Sequence, residues 1–147
     1  MSRVRVFAMI LAICGATFAI APIASASETM PFGAVITEDF CEPGVTCGTA
    51  VTLFGRATVR SVITSFTPLP SGCFSDHHIS TLTFADGSTL ANAIVGTLCP
   101  TTFPNFRLKG TYSVTGTGRF AGATGSGFVR AFRENGPIHA VLVGTLG

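Results

Sequence analysis

The sequence predicts an all-β protein, an eight-stranded antiparallel β-barrel, on three observations. Helical periodicity is almost absent from the chain. Short runs of Val, Thr, Ile and Phe alternate with Gly, Pro, Asn and Asp. Eight such runs joined by hairpins would leave exposed sheet edges, which closure into a barrel removes. A two-sheet β-sandwich is the alternative, because the pattern alone does not distinguish closure from stacking.

The segment RLKGTYSVT shows the strand pattern most clearly. Leu108, Gly110, Tyr112 and Val114 fall on one face, and charged or hydroxylated residues fall on the other. This period of two is what a half-buried antiparallel strand requires. By similar criteria, the predicted strands are 33–37, 48–55, 57–66, 78–85, 88–98, 107–116, 124–133 and 138–146.

Turn residues separate the predicted strands. Asp86-Gly87 and Asn135-Gly136 tolerate the positive φ of hairpin turns, and the prolines in TPLPSG and CPTTFPNF stop strand pairing. The interior of an eight-stranded barrel is filled by side chains or holds one small ligand. The chain has thirteen Phe and no Trp, which suits an apolar lining.

Residues 1–26 have the features of a signal peptide. Arg3 and Arg5 precede a long apolar run, and the sequence ASA then supplies the small residues of a cleavage site. We therefore expect a secreted protein with one barrel domain at 27–147 and no stable membrane span after cleavage. An uncleaved anchor at 6–23 is the alternative, which the cleavage site disfavours.

The charge of the expected mature chain is near zero. Without Arg3 and Arg5, seven of the nine basic residues remain against seven acidic ones. This balance argues against nucleic acid as a partner, because nucleic-acid binding requires a basic face. Five basic residues late in the chain would attract an anion if they shared a face, although a solvated strand face is the interpretation we favour. They are Arg107, Lys109, Arg119, Arg130 and Arg133.

Four cysteines follow the predicted signal peptide, an even number that fits an oxidising compartment. CEPGVTC places Cys41 and Cys47 across a Pro-Gly turn, close enough to bridge. Cys73 and Cys99 flank the hairpin turn at 86–87. We therefore predict the disulfides Cys41–Cys47 and Cys73–Cys99. Zinc binding is disfavoured because the chain contains no C-x-x-C pair and exported thiols rarely stay free.

The second of these pairings requires a small irregularity. A two-residue turn at 86–87 pairs Ala85 with Ser88, and the same register places Cys73 opposite Pro100. Because Pro100 is one residue beyond Cys99, we expect a bulge or an irregular strand end to absorb the offset.

The glycine-rich segment GTGRFAGATGSG invites a cofactor or hydrolase interpretation. Gly116, Gly118 and Ala121 loosely match a dinucleotide-binding loop, but no helix follows and no acidic residue lies about twenty positions on. Ser126 lacks the G-x-S-x-G spacing of a nucleophile elbow. The sequence therefore predicts no cofactor, and this segment is interpreted as a bend between two strands with Phe120 as its inward anchor.

Asp76, His77 and His78 form the most chemically suggestive cluster. Adjacent histidines in a strand point to opposite faces, so the two cannot easily share one metal. We interpret the cluster as the polar start of a strand, hydrogen-bonded or exposed, and predict no metal site; His139 could join it only through the fold. For polar groups in the barrel interior the candidates are Arg130, Asn92 and Tyr112.

The sequences GTYSVTGTGRFAGATGSGFV and TLTFADGSTLANAIVGTL resemble the glycine-rich signature, and the hairpin before it, of secreted bacterial proteins with an allene oxide cyclase-like barrel. The resemblance covers roughly residues 78–133. It implies an eight-stranded antiparallel barrel with a central apolar cavity, related in fold to plant allene oxide cyclases and dirigent proteins. It places no catalytic or ligand-binding residue of those families on this chain.

The expected function is therefore a secreted, disulfide-stabilised binding or interaction module whose apolar interior holds a small hydrophobic ligand. The motivation is an apolar, Phe-rich composition without a converging set of reactive residues. A cyclase- or isomerase-like enzyme acting on a lipid-derived or phenolic substrate is the alternative. It requires at least two polar or ionisable side chains that point inward near one another.

Overall fold

The computed structural model describes residues 28–147, which form a closed antiparallel β-barrel of eight strands. Each strand pairs with the next along the chain, and β8 closes the sheet against β1. The predicted barrel is confirmed and the sandwich alternative is wrong. The strands are β1 (Met30–Glu42), β2 (Val45–Thr52), β3 (Gly55–Pro68), β4 (Phe74–Phe84), β5 (Thr89–Pro100), β6 (Phe106–Gly116), β7 (Thr124–Arg133) and β8 (Ile138–Leu146).

The two ends of the barrel differ. At one end, here the closed end, the turns 53–54, 85–88 and 117–123 come together over aromatic side chains. The connections 43–44, 69–73, 101–105 and 134–137 lie at the other, here the open end. Regular alternation of buried and exposed residues along the strands directs one face of the sheet into the barrel.

An aromatic cluster fills the closed end. The ring of Phe120 lies 5.2 Å from that of Phe54 and 5.0 Å from that of Phe84. Arg119 covers the cluster, with its guanidinium 4.8 Å from the centroids of both Phe84 and Phe120. Phe120 belongs to a short 3₁₀ turn, Gly118–Phe120, between β6 and β7. The glycine-rich segment is thus a bend with Phe120 as its inward anchor, as predicted.

Two glycines make room for the only tyrosine of the chain. Across the sheet Tyr112 pairs with Gly127, and Gly127 pairs with Gly144. A Cβ atom on Gly127 would lie 2.7 Å from the Tyr112 hydroxyl, and one on Gly144 would lie 2.6 Å from it. The phenol therefore lies across the backbone of β7 and β8 at Gly127 and Gly144, where a Cβ atom would clash with its hydroxyl.

The hydroxyl of Tyr112 is buried and has no hydrogen-bond partner in the described chain, and burial raises the pKa of the phenol. Because the folded-state pKa lies above the unfolded value of about 10, this contribution to stability is complete below about pH 10 and is lost as pH rises through the folded-state pKa. We expect Tyr112→Phe to change the free energy of unfolding by less than about 1 kcal/mol at pH 7 and to weaken the alkaline loss. Urea unfolding between pH 7 and 11 tests this; a loss above about 2 kcal/mol at pH 7 would contradict it.

The hairpin between β4 and β5 corrects one prediction. Thr83 pairs with Thr89, and the Ser88 carbonyl accepts a hydrogen bond from the Phe84 amide, so the turn holds three residues rather than two. Gly87 adopts a φ of 81° in this turn. The same register continues to Phe74 opposite Leu98, which leaves Cys73 facing Cys99 without any offset.

Both disulfides lie at the open end of the barrel. Cys41 is joined to Cys47 and Cys73 to Cys99, the two pairs expected from the sequence. The first links β1 to β2 beside their turn, and the second ties the start of β4 to the end of β5. Within residues 28–147, no helix is long and apolar enough to span a bilayer. The predicted signal peptide at 1–26 lies outside the described residues.

Candidate ligand-binding cavity

A cavity of about 660 Å³ occupies the half of the barrel nearest the open end. It lies above the packed core of the closed end and is lined by side chains from all eight strands and from the 101–105 connection. Its volume is in the range of pockets that bind small organic molecules. The barrel interior is therefore packed at one end and hollow at the other.

The lining is divided into two walls of different polarity. Strands β5 to β8 contribute an apolar wall, and β1 to β4 contribute nearly all of the polar side chains. The apolar wall includes Ile94, Leu98, Leu108, Val129, Ala140 and Leu142. The polar wall consists of Glu38, Thr46, Ser61, Asp76, His78 and Ser80.

A row of inward-facing polar residues crosses four neighbouring strands. Thr46 pairs with Ser61, Ser61 with Ser80, and Ser80 with Asn92. Asn92 is fully buried, and its side-chain amide donates to the carbonyl of Ser80 while its own Oδ1 has no partner in the described chain. The cavity lining is therefore polar where Thr46, Ser61 and Ser80 face it, and Asn92 lies next to this row outside the lining.

Glu38 extends this row from β1. The Ser61 hydroxyl donates to Glu38 Oε2 at 2.9 Å and lies 3.0 Å from the Ser80 hydroxyl. Since Ser61 has one hydroxyl hydrogen, and the carboxylate can only accept, Ser80 must donate to Ser61. Along this series of hydrogen bonds, Ser80 donates to Ser61 and Ser61 donates to Glu38.

Asp76 and His78 form a second polar group on β4. His78 Nδ1 lies 2.6 Å from Asp76 Oδ2, and the two side chains are 15% and 4% exposed. A carboxylate on Nδ1 fixes the orientation of the imidazole and leaves Nε2 for another partner. This is the arrangement in which histidine serves as a hydrogen-bonding or proton-accepting group.

Aromatic side chains surround the mouth of the cavity. The rings of Phe66 and Phe74 are stacked with centroids 4.5 Å apart, and Phe40 and Phe103 are 52% and 95% exposed. Arg133 reaches across this rim, with its NH2 group 3.3 Å from Asp39 Oδ1 and its guanidinium 5.7 Å from the centroid of Phe40. The entrance is thus apolar, with one ion pair at its edge.

The structure separates the three interior-polar candidates. Asn92 and Tyr112 are buried inside the barrel, Asn92 beside Ser80 and Tyr112 within the packed core. Arg130 is exposed on the outer face of β7, so its prediction as an interior residue is wrong. The period of two along β7 selects Val129, Ala131 and Arg133 for the inside instead.

The five late basic residues do not form one face. Arg133 enters the cavity mouth, and Arg119 caps the opposite end, where it lies 3.5 Å from Asp86. Arg107 donates to Glu134, and only Lys109 and Arg130 are direct cross-strand neighbours. A shared anion-binding face is therefore not built.

Several polar residues of the cavity were not predicted from the sequence. Alternation along β1 runs from Phe32 through Ala34 and Ile36 to Glu38, so the period of two would have placed this glutamate inside. The same count along β4 places Asp76, His78 and Ser80 inward with Leu82. The interpretation of the 76–78 cluster as a polar strand start overlooked that alternate members share the interior face.

Among residues 28–147 no group of three or more His, Cys, Asp or Glu side chains is placed to hold a metal ion. Comparisons of the chain with protein-family models, curated proteins and solved structures found no match.

Proposed function

We propose that the protein is a non-catalytic binding module that holds one small, largely hydrophobic molecule in the cavity at the open end. The observation that carries this proposal is the 660 Å³ cavity, because an eight-stranded barrel of this size can instead be filled by its own side chains. The closed end is filled in that way by Phe54, Phe84 and Phe120. The open end is not.

The lining supports an organic ligand rather than an ion. Most of the cavity surface is aliphatic or aromatic, and burial of apolar ligand surface contributes roughly 25 cal/mol per Å². The few polar side chains are gathered on one wall, where they would orient the ligand. The proposed ligand therefore has an apolar body and at least one polar group.

Filling the cavity tests this proposal. Ala140 faces the cavity from β8, so Ala140→Phe places a ring in the ligand volume. We expect binding of the apolar fluorescent probe N-phenyl-1-naphthylamine to weaken at least tenfold, measured by fluorescence titration. Val141→Phe is the matched control, because Val141 is the next residue on the same strand and faces outward, 43% exposed. Equal binding by both variants and the unaltered protein would contradict the proposal.

Export of the protein is the second part of the proposed function. Two disulfides in the described chain are consistent with an extracellular protein. The signal-like segment at 1–26 supports secretion. We also propose, on the glycine-rich signature, that the protein is one of the allene oxide cyclase-like barrel proteins. N-terminal sequencing of the exported protein tests the cleavage site, with Ser27 expected as the first residue.

An isomerase or cyclase is the second candidate function, and one observation favours it. Asp76, His78 and Glu38 all line the same apolar cavity, which gives the two or more inward polar side chains that this alternative requires. Neutral His78 could accept a proton from a bound substrate through Nε2 while Asp76 stabilises the resulting imidazolium. The test is a screen for conversion of unsaturated lipid-derived ketones or epoxides to products of unchanged mass. Conversion that is lost in His78→Gln would support an enzyme, whereas no turnover would count against the enzyme and in favour of the binding module.

A further inference from the structure

The Glu38 carboxylate is nine-tenths buried and faces the cavity without a cation. It is 9% exposed, and its side chain accepts one hydrogen bond, from Ser61. None of the ion pairs in residues 28–147 includes Glu38. Burying an ionised carboxylate is costly unless a cation or several hydrogen bonds compensate it. Glu38 thus presents to the cavity a carboxyl group that has no ion-pair partner among residues 28–147.

The rest of the polar wall has more acceptors than donors. The hydroxyl hydrogens of Ser80 and Ser61 are used along the chain that ends at Glu38. Asp76 and neutral His78 share one hydrogen between them, which leaves the second Asp76 oxygen and His78 Nε2 as acceptors. Apart from the Thr46 hydroxyl, the groups that this wall offers to a ligand are therefore acceptors.

Arg133 is the cation of the cavity lining, and it lies at the mouth. Its NH2 group is paired with Asp39, and its Nε has no partner in the described chain. Along β7, Arg133 is the last inward residue before the open end. The positive charge at the entrance is therefore offset by Asp39, whereas the wall below it carries two carboxylates and one histidine.

Aromatic rings near the entrance favour a positively charged ligand. Phe66 and Phe74 line the cavity beside Asp76, and Phe40 lines it next to Glu38 along β1. The faces of aromatic rings attract cations, and ammonium ligands are recognised by aromatic residues in this way. A carboxylate ligand would meet repulsion from the two acidic side chains of the lining, Glu38 and Asp76.

We propose that the cavity is selective for hydrophobic amines, with the ligand ammonium bound at Glu38 and its apolar body against the β5–β8 wall. This inference rests on the proposed binding function and adds the chemical class of the ligand. Glu38 is the specificity-determining residue, held in place by Ser61. Asp76 and His78 lie within the same polar wall and accept further hydrogen bonds from the ligand.

Three probes of equal chain length test the selectivity: decylamine, 1-decanol and decanoic acid. Each is titrated at pH 7 against the purified protein loaded with N-phenyl-1-naphthylamine, and displacement gives the relative affinity. We expect decylamine to bind at least tenfold more tightly than decanoic acid, with decanol between them. Glu38→Gln, which keeps the shape and the hydrogen bond from Ser61, should reduce the amine-to-acid ratio at least fivefold.

Glu134→Gln is the matched control, because Glu134 is exposed on the outer side of the open end and its removal changes net charge by the same amount. It should leave the ratio unchanged. Decanoic acid binding as tightly as decylamine, or a ratio equally altered in both variants, would overturn the inference while leaving the proposed function intact. Failure of all three probes and of the fluorescent probe to bind would overturn both.

Discussion

Replacing Cys73 and Cys99 by serine is expected to lower the free energy of unfolding by about 3.5 kcal/mol. The disulfide closes a loop with a sequence separation of 26 residues, and loop-closure entropy in the unfolded chain gives this magnitude for that length. The bond also fixes the start of β4 to the end of β5 at the open end, where the adjoining connections contain prolines. Urea unfolding followed by circular dichroism measures the loss.

The second disulfide provides the comparison. The sequence separation of Cys41 and Cys47 is 6, so loop-closure entropy gives a loss of about 2 kcal/mol for the corresponding double serine variant. The ordering of the two variants is the critical result. A larger loss on removing the 41–47 bond would show that strain or residual structure, rather than loop length, determines the contribution of these crosslinks.

Gly127→Ala is expected to cost about 3 kcal/mol, at the upper end of the usual range for overpacking. The added methyl group would meet the carbonyl of Val143, the Cα of Gly144 and the Tyr112 hydroxyl. Two of these contacts are backbone atoms, which cannot rotate away as the end of a side chain can. The strands β7 and β8 would have to separate locally, and thermal or urea unfolding measures the effect.

Gly33→Ala is the control within the same sheet. A Cβ atom there has its nearest neighbour, the Leu142 carbonyl oxygen, at 3.6 Å, which is ordinary contact. We expect a change within about 1 kcal/mol, with a tendency toward stabilisation because alanine suits a strand better than glycine. A similar loss in both variants would mean that glycine is needed for backbone freedom rather than for the space taken by Tyr112.

The fold could be predicted because its signals are local. The alternation in β6 and the turn residues at 86–87 and 135–136 depend on neighbours in sequence, and the strands they define are present. Asn135 adopts a φ of 52°, as its place in a turn suggests. The β4–β5 turn was predicted one residue too short, since an Asp-Gly pair fits both two- and three-residue loops.

The candidate site was harder to predict because it is assembled across strands. Glu38 and Ser61 are separated by 23 residues and meet only through the pairing of β1, β2 and β3. Their inward direction follows from the period of two, but the partner of each depends on cross-strand register, which the sequence constrained loosely. The size of the cavity depends on how far the Phe side chains extend from the closed end, and no sequence pattern predicts that distance.

The aromatic closure of one end has a consequence for exchange. A blind pocket has one entrance, so a molecule must leave along the path by which it arrived. The rim formed by Phe40, Phe66 and Phe103 is crossed in both directions, so a substitution that narrows or widens it should alter the association and dissociation rates together. The width of the rim therefore influences how long a ligand stays in the barrel, in addition to the contacts that hold the ligand inside the cavity.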